Sequence, residues 1–108
     1  MSPTEVEIEF LWIPRELGGH RSEPYLGMRP TVRWQRYLRE YLERARDVEC
    51  TSVAFDQATN RGSATLRLIS EDPVPTEWLR EGSLIELLDG YRVIAVGRVT
   101  AARLTAGS

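Results

Sequence analysis

The first residues of the chain alternate between apolar and acidic side chains. Apolar residues occupy every second position from Val6 to Trp12, and glutamates occupy the positions between them from Glu5 to Glu9. A period of two residues is typical of a strand with one buried face and one solvated face. The alternation predicts a first β-strand that Pro14 ends, since proline lacks the amide hydrogen that a strand ladder uses.

A different pattern begins at Trp34, after a segment rich in glycine and proline. The segment Pro14–Pro30 contains too many chain breakers for a continuous helix or strand, and it is predicted to be a long structured loop. Positions 32–33 can form a short piece of strand. From Trp34 to Ala45 the apolar side chains recur at helical spacing, which predicts an amphipathic helix around residues 34–46.

The second half of the chain returns to strand patterns. Residues 63–70 alternate clearly, and residues 48–55 alternate less regularly. Between these strands and the end of the chain, Trp78 and Leu79 lie in a short segment that is predicted to form one helical turn. In the strand at 48–55, one face is predicted to carry Val48, Cys50, Ser52 and Ala54.

A hairpin near the end of the chain has the clearest turn signal. Asp89 and Gly90 separate two strand-like segments, residues 84–88 and 91–100, and this dipeptide suits a two-residue type I′ turn. Several short strands joined by turns, with one helix, predict a small β-barrel or sandwich rather than an α/β sheet.

Length and composition indicate one ordinary globular domain. The chain has 108 residues, of which 42% are hydrophobic and 28% are charged, and we expect residues 1–108 to form a single domain. The formal charge of −2 provides no general attraction to nucleic acid, so RNA binding would need a local basic patch. All fourteen basic residues are arginine, which suits phosphate contacts but is also what a genome of high GC content produces.

Several classes of function are not expected. One cysteine and one histidine give no set of ligands with zinc spacing, so we expect no metal. A phosphate-binding glycine loop ending in Lys-Ser or Lys-Thr is missing, so we expect no nucleotide and no other cofactor. The chain has neither an apolar run of about 20 residues nor a secretory signal, and we therefore expect a cytoplasmic protein that uses no membrane.

Two segments far apart in the sequence carry a family resemblance. A Gly-Gly pair at Gly18 leads into a basic, turn-rich loop, which contains Gly27 and ends in an Arg-Pro pair at Arg29. The segment Ile85–Val99 forms the predicted closing hairpin. Together these motifs resemble the C-terminal (third) β-barrel domain of bacterial elongation factor Tu. The matching positions in the hairpin are Asp89, Gly90, Arg92 and Gly97.

The resemblance implies both a fold and a surface. It implies a small closed antiparallel β-barrel in which the two ends of the chain form neighbouring strands, with the helix around residues 34–46 as an insertion. In that family the barrel contacts the backbone of a tRNA stem. Carried over to this sequence, the contact residues are His20 and Arg21 for phosphate, and Asp89 for a ribose 2′-hydroxyl. The ordinary alternatives are a solvated loop and an aspartate placed for turn geometry.

No set of residues indicates an enzyme. His20 can titrate near neutral pH, but no motif places a nucleophile or a carboxylate beside it, and we expect no catalytic activity. Cys50 lies in a predicted strand and is interpreted as a buried structural thiol. The acidic face from Glu5 to Glu9 can bind a metal or a basic partner, although such faces more often aid solubility or protect a strand edge.

The aromatic stripe Trp34, Tyr37 and Tyr41 is the candidate surface for a protein partner. A helix with aromatic side chains on one face must bury them, either against the barrel or against another molecule. We therefore expect a stand-alone, non-enzymatic, protein-binding module whose partner is an unknown protein or a second copy of the chain. The alternative is an RNA-binding domain that uses the loop Gly18–Pro30 and the turn at Asp89.

Overall fold

The computed structural model describes residues 4–34, 45–69 and 74–104. Within them six strands form a closed antiparallel barrel in the order β1-β4-β3-β2-β5-β6, and β6 pairs back onto β1. The predicted closed barrel is confirmed, and so is the prediction that the two ends of the chain form neighbouring strands. The bounds are β1 Thr4–Trp12, β2 Thr31–Trp34, β3 Ala45–Asp56, β4 Arg61–Leu68, β5 Leu84–Asp89 and β6 Arg92–Leu104.

The alternation in β1 predicted its buried face correctly. Val6, Ile8, Phe10 and Trp12 are at most 5% exposed, and they face a core to which every strand contributes. Among the described side chains that line the middle of this core, the remaining space is too small to admit a water molecule. The barrel interior is therefore a packed core, and a ligand must bind on the outside.

The middle of β6 lies very close to β1 at Gly97. A Cβ atom added at Gly97 would lie 2.2 Å from the backbone oxygen of Glu9 and 3.0 Å from the Cα atom of Phe10. A separation of 2.2 Å is far inside van der Waals contact, so glycine allows the two strands to pair at this point.

The even alternation predicted for β3 fails halfway along the strand. Cys50 pairs with Leu66 while Ser52 pairs with Thr65, so Thr51 is an extra residue on β3 and forms a β-bulge. A bulge moves the following residues to the opposite face. Beyond it Val53, not Ser52, packs against the core, contrary to the predicted face.

The helix predicted around residues 34–46 is not seen, and its centre lies outside the described residues. Both of its ends belong to strands: Trp34 is the last residue of β2, and Ala45 is the first residue of β3. The short strand predicted at positions 32–33 is confirmed as part of β2. The helical turn predicted at Trp78 is also confirmed, as a 3-10 helix over Thr76–Leu79 that buries Trp78.

The closing hairpin is present, but its turn is displaced by one residue. Asp89 pairs with Arg92, so the two loop residues are Gly90 and Tyr91. Gly90 has a φ of +64°, but Tyr91 does not have a positive φ, since Asn60 is the sole non-glycine residue in the described part of the chain that does. A positive φ at the first loop residue alone is the property of a type II′ turn, and a type I′ turn would need it at both. In residues 4–34, 45–69 and 74–104 no helix is long and apolar enough to cross a membrane.

Candidate functional site

The loop after β1 is attached to the barrel by a tryptophan and an arginine. The indole Nε1 of Trp12 donates a hydrogen bond to the backbone oxygen of Ser22 over 3.0 Å, and its ring lies 5.9 Å from the ring of His20. From the start of β6, Nη1 of Arg92 donates to the backbone oxygen of Gly19 over 3.2 Å. These contacts hold the first half of the loop against the β5–β6 turn.

His20 connects this loop to the turn directly. Its Nε2 lies 3.5 Å from Oδ2 of Asp89, and its side chain is 13% exposed while that of Asp89 is 65% exposed. The other ring nitrogen, Nδ1, accepts a hydrogen bond from the backbone amide of Ser22 over 3.1 Å. An accepting Nδ1 in a neutral ring requires the hydrogen on Nε2, which then points toward the carboxylate of Asp89.

The same residues border an open depression at this end of the barrel. Its volume is about 1080 Å³, and both of its arginines are exposed. Its lining contains two arginines and one aspartate, so basic side chains outnumber acidic ones there, whereas the whole chain carries −2. We call this the loop–turn surface, and it is lined by His20, Arg21, Ser22, Tyr25, Asp89, Tyr91 and Arg92.

The three residues predicted to contact RNA therefore lie on one surface. The histidine does not reach outward as predicted, because both of its ring nitrogens contact groups of the protein. Its contacts suit it to positioning the loop, whereas Arg21 and Arg92 are exposed to an incoming ligand. One carboxylate oxygen of Asp89 faces His20, and the carboxylate is exposed enough to accept a further hydrogen bond.

Ser22, His20 and Asp89 resemble a catalytic triad in composition. The Oγ atom of Ser22 lies 2.9 Å from Nδ1 of His20, opposite the nitrogen that faces Asp89. A histidine that activates a serine must accept its proton on that nitrogen. Here the backbone amide of Ser22 donates to the same Nδ1, and the hydroxyl also lies 3.2 Å from the backbone oxygen of Glu23. The amide competes for the lone pair, which favours a structural role for these contacts.

Trp34 belongs to the barrel core and not to a surface stripe. It is 2% exposed, its ring centre lies 4.9 Å from that of Trp78, and its Nε1 donates to the backbone oxygen of Trp78 over 2.8 Å. A residue buried in this way cannot contact a partner. The other two residues of the predicted stripe, Tyr37 and Tyr41, lie outside the described residues.

The acidic face of β1 is paired with arginines from the neighbouring strand. Arg98 donates to Glu9 over 2.9 Å, and Nη2 of Arg103 lies 3.6 Å from Glu7. Because β1 pairs with a strand on each side, these glutamates do not protect a free edge. No group of three or more metal-ligating side chains was found in the described part of the chain.

Cys50 is a poor nucleophile in this fold. It is 3% exposed, and burial together with the neighbouring Glu49 carboxylate raises the pKa of its thiol to about 11. The reactive form of cysteine is the thiolate, which is scarce at neutral pH with such a pKa. The interpretation of Cys50 as structural agrees with this environment.

The chain matches no model of a known protein family, and no curated protein is similar enough to count as a relative. The resemblance to elongation factor Tu therefore stays a prediction from the sequence motifs alone.

Sequence reasoning assigned no role to Tyr25, Tyr91 or Arg92 of the loop–turn surface. Tyr91 is 99% exposed and Tyr25 is 52% exposed, and both line the depression. Tyr91 was assigned to a strand, although it lies in the turn. Arg92 was matched to a family position but was not assigned a contact. The adjacent Tyr91 and Arg92 give a local sequence signal of an aromatic ring beside a cation, whereas Tyr25 has no arginine next to it.

Proposed function

We propose that the protein is a non-enzymatic binding module that binds RNA at the loop–turn surface. The observation that supports this most directly is the contact between His20 and Asp89, which joins segments from opposite halves of the chain. Two exposed arginines and an exposed carboxylate are thereby concentrated on one surface. The motifs shared with elongation factor Tu add support, because in that family the corresponding segments contact a tRNA stem.

Each group on this surface has a distinct part in the proposed binding. Arg21 and Arg92 contact phosphates, since a guanidinium group donates two hydrogen bonds that match phosphate oxygens. Asp89 accepts from a 2′-hydroxyl, the group that distinguishes RNA from DNA. His20 does not contact RNA in this proposal; it keeps the loop on the turn through its 3.5 Å contact with Asp89.

The charge of the chain sets the conditions under which this binding is measurable. Contacts to phosphate weaken with salt because counterions are released from the nucleic acid. A surface with two phosphate contacts has a small salt slope, of roughly −1 to −2 in a plot of log affinity against log salt concentration. Binding is therefore expected to be weak and to be strongest at low ionic strength.

The test is a titration of a fluorescently labelled tRNA with the full chain, followed by anisotropy at several salt concentrations. Arg21→Ala is expected to weaken binding and to reduce the salt slope by about one, as the loss of one phosphate contact does. The matched control is Arg103→Ala, because Arg103 is also an exposed arginine but lies near the far end of β6 and pairs with Glu7. Equal effects of the two variants, or no binding of tRNA by the native chain at low salt, would refute the proposal.

Protein binding by Tyr37 and Tyr41 stays a prediction. Both residues lie outside the described part of the chain, and the burial of Trp34 removes the third residue of that stripe. Tyr37→Arg should abolish a complex that depends on this segment while leaving the barrel folded.

A further inference from the structure

Tyr91 occupies a position where neither packing nor turn geometry requires an aromatic ring. It is 99% exposed, so its side chain contributes almost no buried surface. It is also the second residue of the β5–β6 turn, in which Gly90 supplies the positive φ. Small or polar residues suit such turns. A fully exposed tyrosine at this point is therefore available to a ligand.

A second exposed ring lines the same depression. Tyr25 is 52% exposed and comes from the loop, whereas Tyr91 comes from the turn. Arg21 lies in the same loop as Tyr25, and Arg92 directly follows Tyr91. Each segment thus presents one aromatic ring and one guanidinium group to the depression.

This pairing of rings with cations is what single-stranded nucleic acid binding requires. Bases stack on aromatic side chains, and the backbone follows a basic groove. The depression is open to solvent, and its volume of about 1080 Å³ is at the upper end of the roughly 300–1,000 Å³ of small-molecule pockets. An extended chain with several nucleotides fits such an open surface better than an enclosed small molecule does.

We infer that Tyr91 and Tyr25 are stacking platforms for unpaired bases, so that the loop–turn surface prefers single-stranded RNA to a duplex. This inference rests on the proposed function and specifies its ligand. In a duplex the bases already stack on one another and their faces are not available, so duplex binding can use only the phosphate and ribose contacts. The tyrosines therefore add affinity for an unpaired strand alone.

The experiment compares three labelled RNA probes of equal length by fluorescence anisotropy with the full chain. The first is a single strand, the second is that strand annealed to its complement, and the third is an abasic strand that retains ribose and phosphate but has no bases. The native chain is expected to bind the first probe most tightly. Tyr91→Ala is expected to weaken binding of the first probe by about 5- to 150-fold, the range for losing one stacked base, and to leave the other two unchanged. Tyr25→Ala should act in the same direction.

Tyr91→Phe is the matched control, because it keeps the ring and removes only the hydroxyl. It is expected to bind the single strand as the native chain does. Equal binding of single strand and duplex by the native chain, or unchanged binding of the single strand by Tyr91→Ala, would overturn the inference. If the stacking inference failed in this way but Arg21→Ala weakened binding of every probe, RNA binding at the loop–turn surface would still be supported. If no probe bound, both proposals would fall.

Discussion

The position of Trp34 provides the sharpest test of the fold, because the helical interpretation and the barrel give it different environments. In the barrel its indole is 2% exposed and donates a hydrogen bond to the backbone oxygen of Trp78. Replacing a buried tryptophan by alanine typically costs about 3–5 kcal/mol of stability. For a domain whose total free energy of unfolding is about 5–15 kcal/mol, this is a large fraction. Trp34→Ala is therefore expected to lose between about a fifth and all of the free energy of unfolding.

Trp34→Phe keeps a ring in the core and removes the indole N–H donor, so the variant stays folded enough for its loss of stability to be measured. Leaving the buried carbonyl of Trp78 without this partner is expected to cost about 1–3 kcal/mol. For a domain of this size the melting temperature should fall by about 4–8 °C for each kcal/mol. The measurement is urea and thermal unfolding followed by far-ultraviolet circular dichroism, which does not depend on tryptophan fluorescence.

The control is Tyr91→Ala, since an exposed residue should change the free energy of unfolding by no more than about 0.5 kcal/mol. This control also shows that the binding experiments use a folded variant. If Trp34→Ala unfolded within about 0.5 kcal/mol of the native chain, the core position of Trp34 would be wrong. The aromatic stripe would then be a surface after all.

Two further predictions concern strand pairing and acid stability. Gly97→Ala is expected to lower the free energy of unfolding by at least about 1–3 kcal/mol, because the added methyl group would overlap the backbone of Glu9. A midpoint of chemical denaturation equal to that of the native chain would contradict this expectation. The hydrogen bond from Arg67, together with the charges of Arg67 and Arg29, holds the pKa of the Glu49 carboxyl below 4.5. The stability from these contacts is present above pH 4.5 and is lost as the pH falls below it, so Glu49→Gln should flatten the pH dependence of the unfolding free energy in that range. If Glu49→Gln left the loss of stability at acid pH unchanged, the contacts between Glu49 and the arginines would contribute nothing to the free energy of unfolding.

The strands could be predicted where side chains alternate without interruption. In β1 acidic and apolar residues alternate from Glu5 to Phe10, and this pattern identified the buried face that continues to Trp12. The bulge at Thr51 could not be predicted, because the extra residue is defined by pairing with β4 and leaves no local signal. The turn was displaced for a related reason: cross-strand pairing, not the Asp-Gly dipeptide alone, determines that Gly90 and Tyr91 form the loop.

Trp34, the first residue of the predicted helix, shows how tertiary packing can override a local pattern. A helical spacing of apolar residues predicted a helix that started at Trp34, but this residue is required by the core of β2 and by its contact with Trp78. The spacing could not reveal that contact, since the two residues are far apart in the sequence. Tertiary packing thus overrode a local pattern at this position.

The candidate site was predictable in part, through the family resemblance and not through the local pattern. The resemblance assigned His20 and Asp89 to one surface, and the structure brings their side chains together. It did not identify Tyr25 or Tyr91, because exposure on a common surface depends on how the loop folds back over the turn. It also assigned His20 a direct contact with a ligand, whereas both ring nitrogens contact groups of the protein.

The pairing of β1 with β6 also determines how this domain can be connected to other polypeptides. Thr4 lies opposite Leu104 in the register, so the first and last described residues leave the barrel at the same rim. A short peptide can therefore bridge them, and new ends can be opened in the exposed turn between Asp56 and Arg61 without removing a strand pair. For the same reason the whole barrel can be inserted into a surface loop of a host protein, with both junctions on one side.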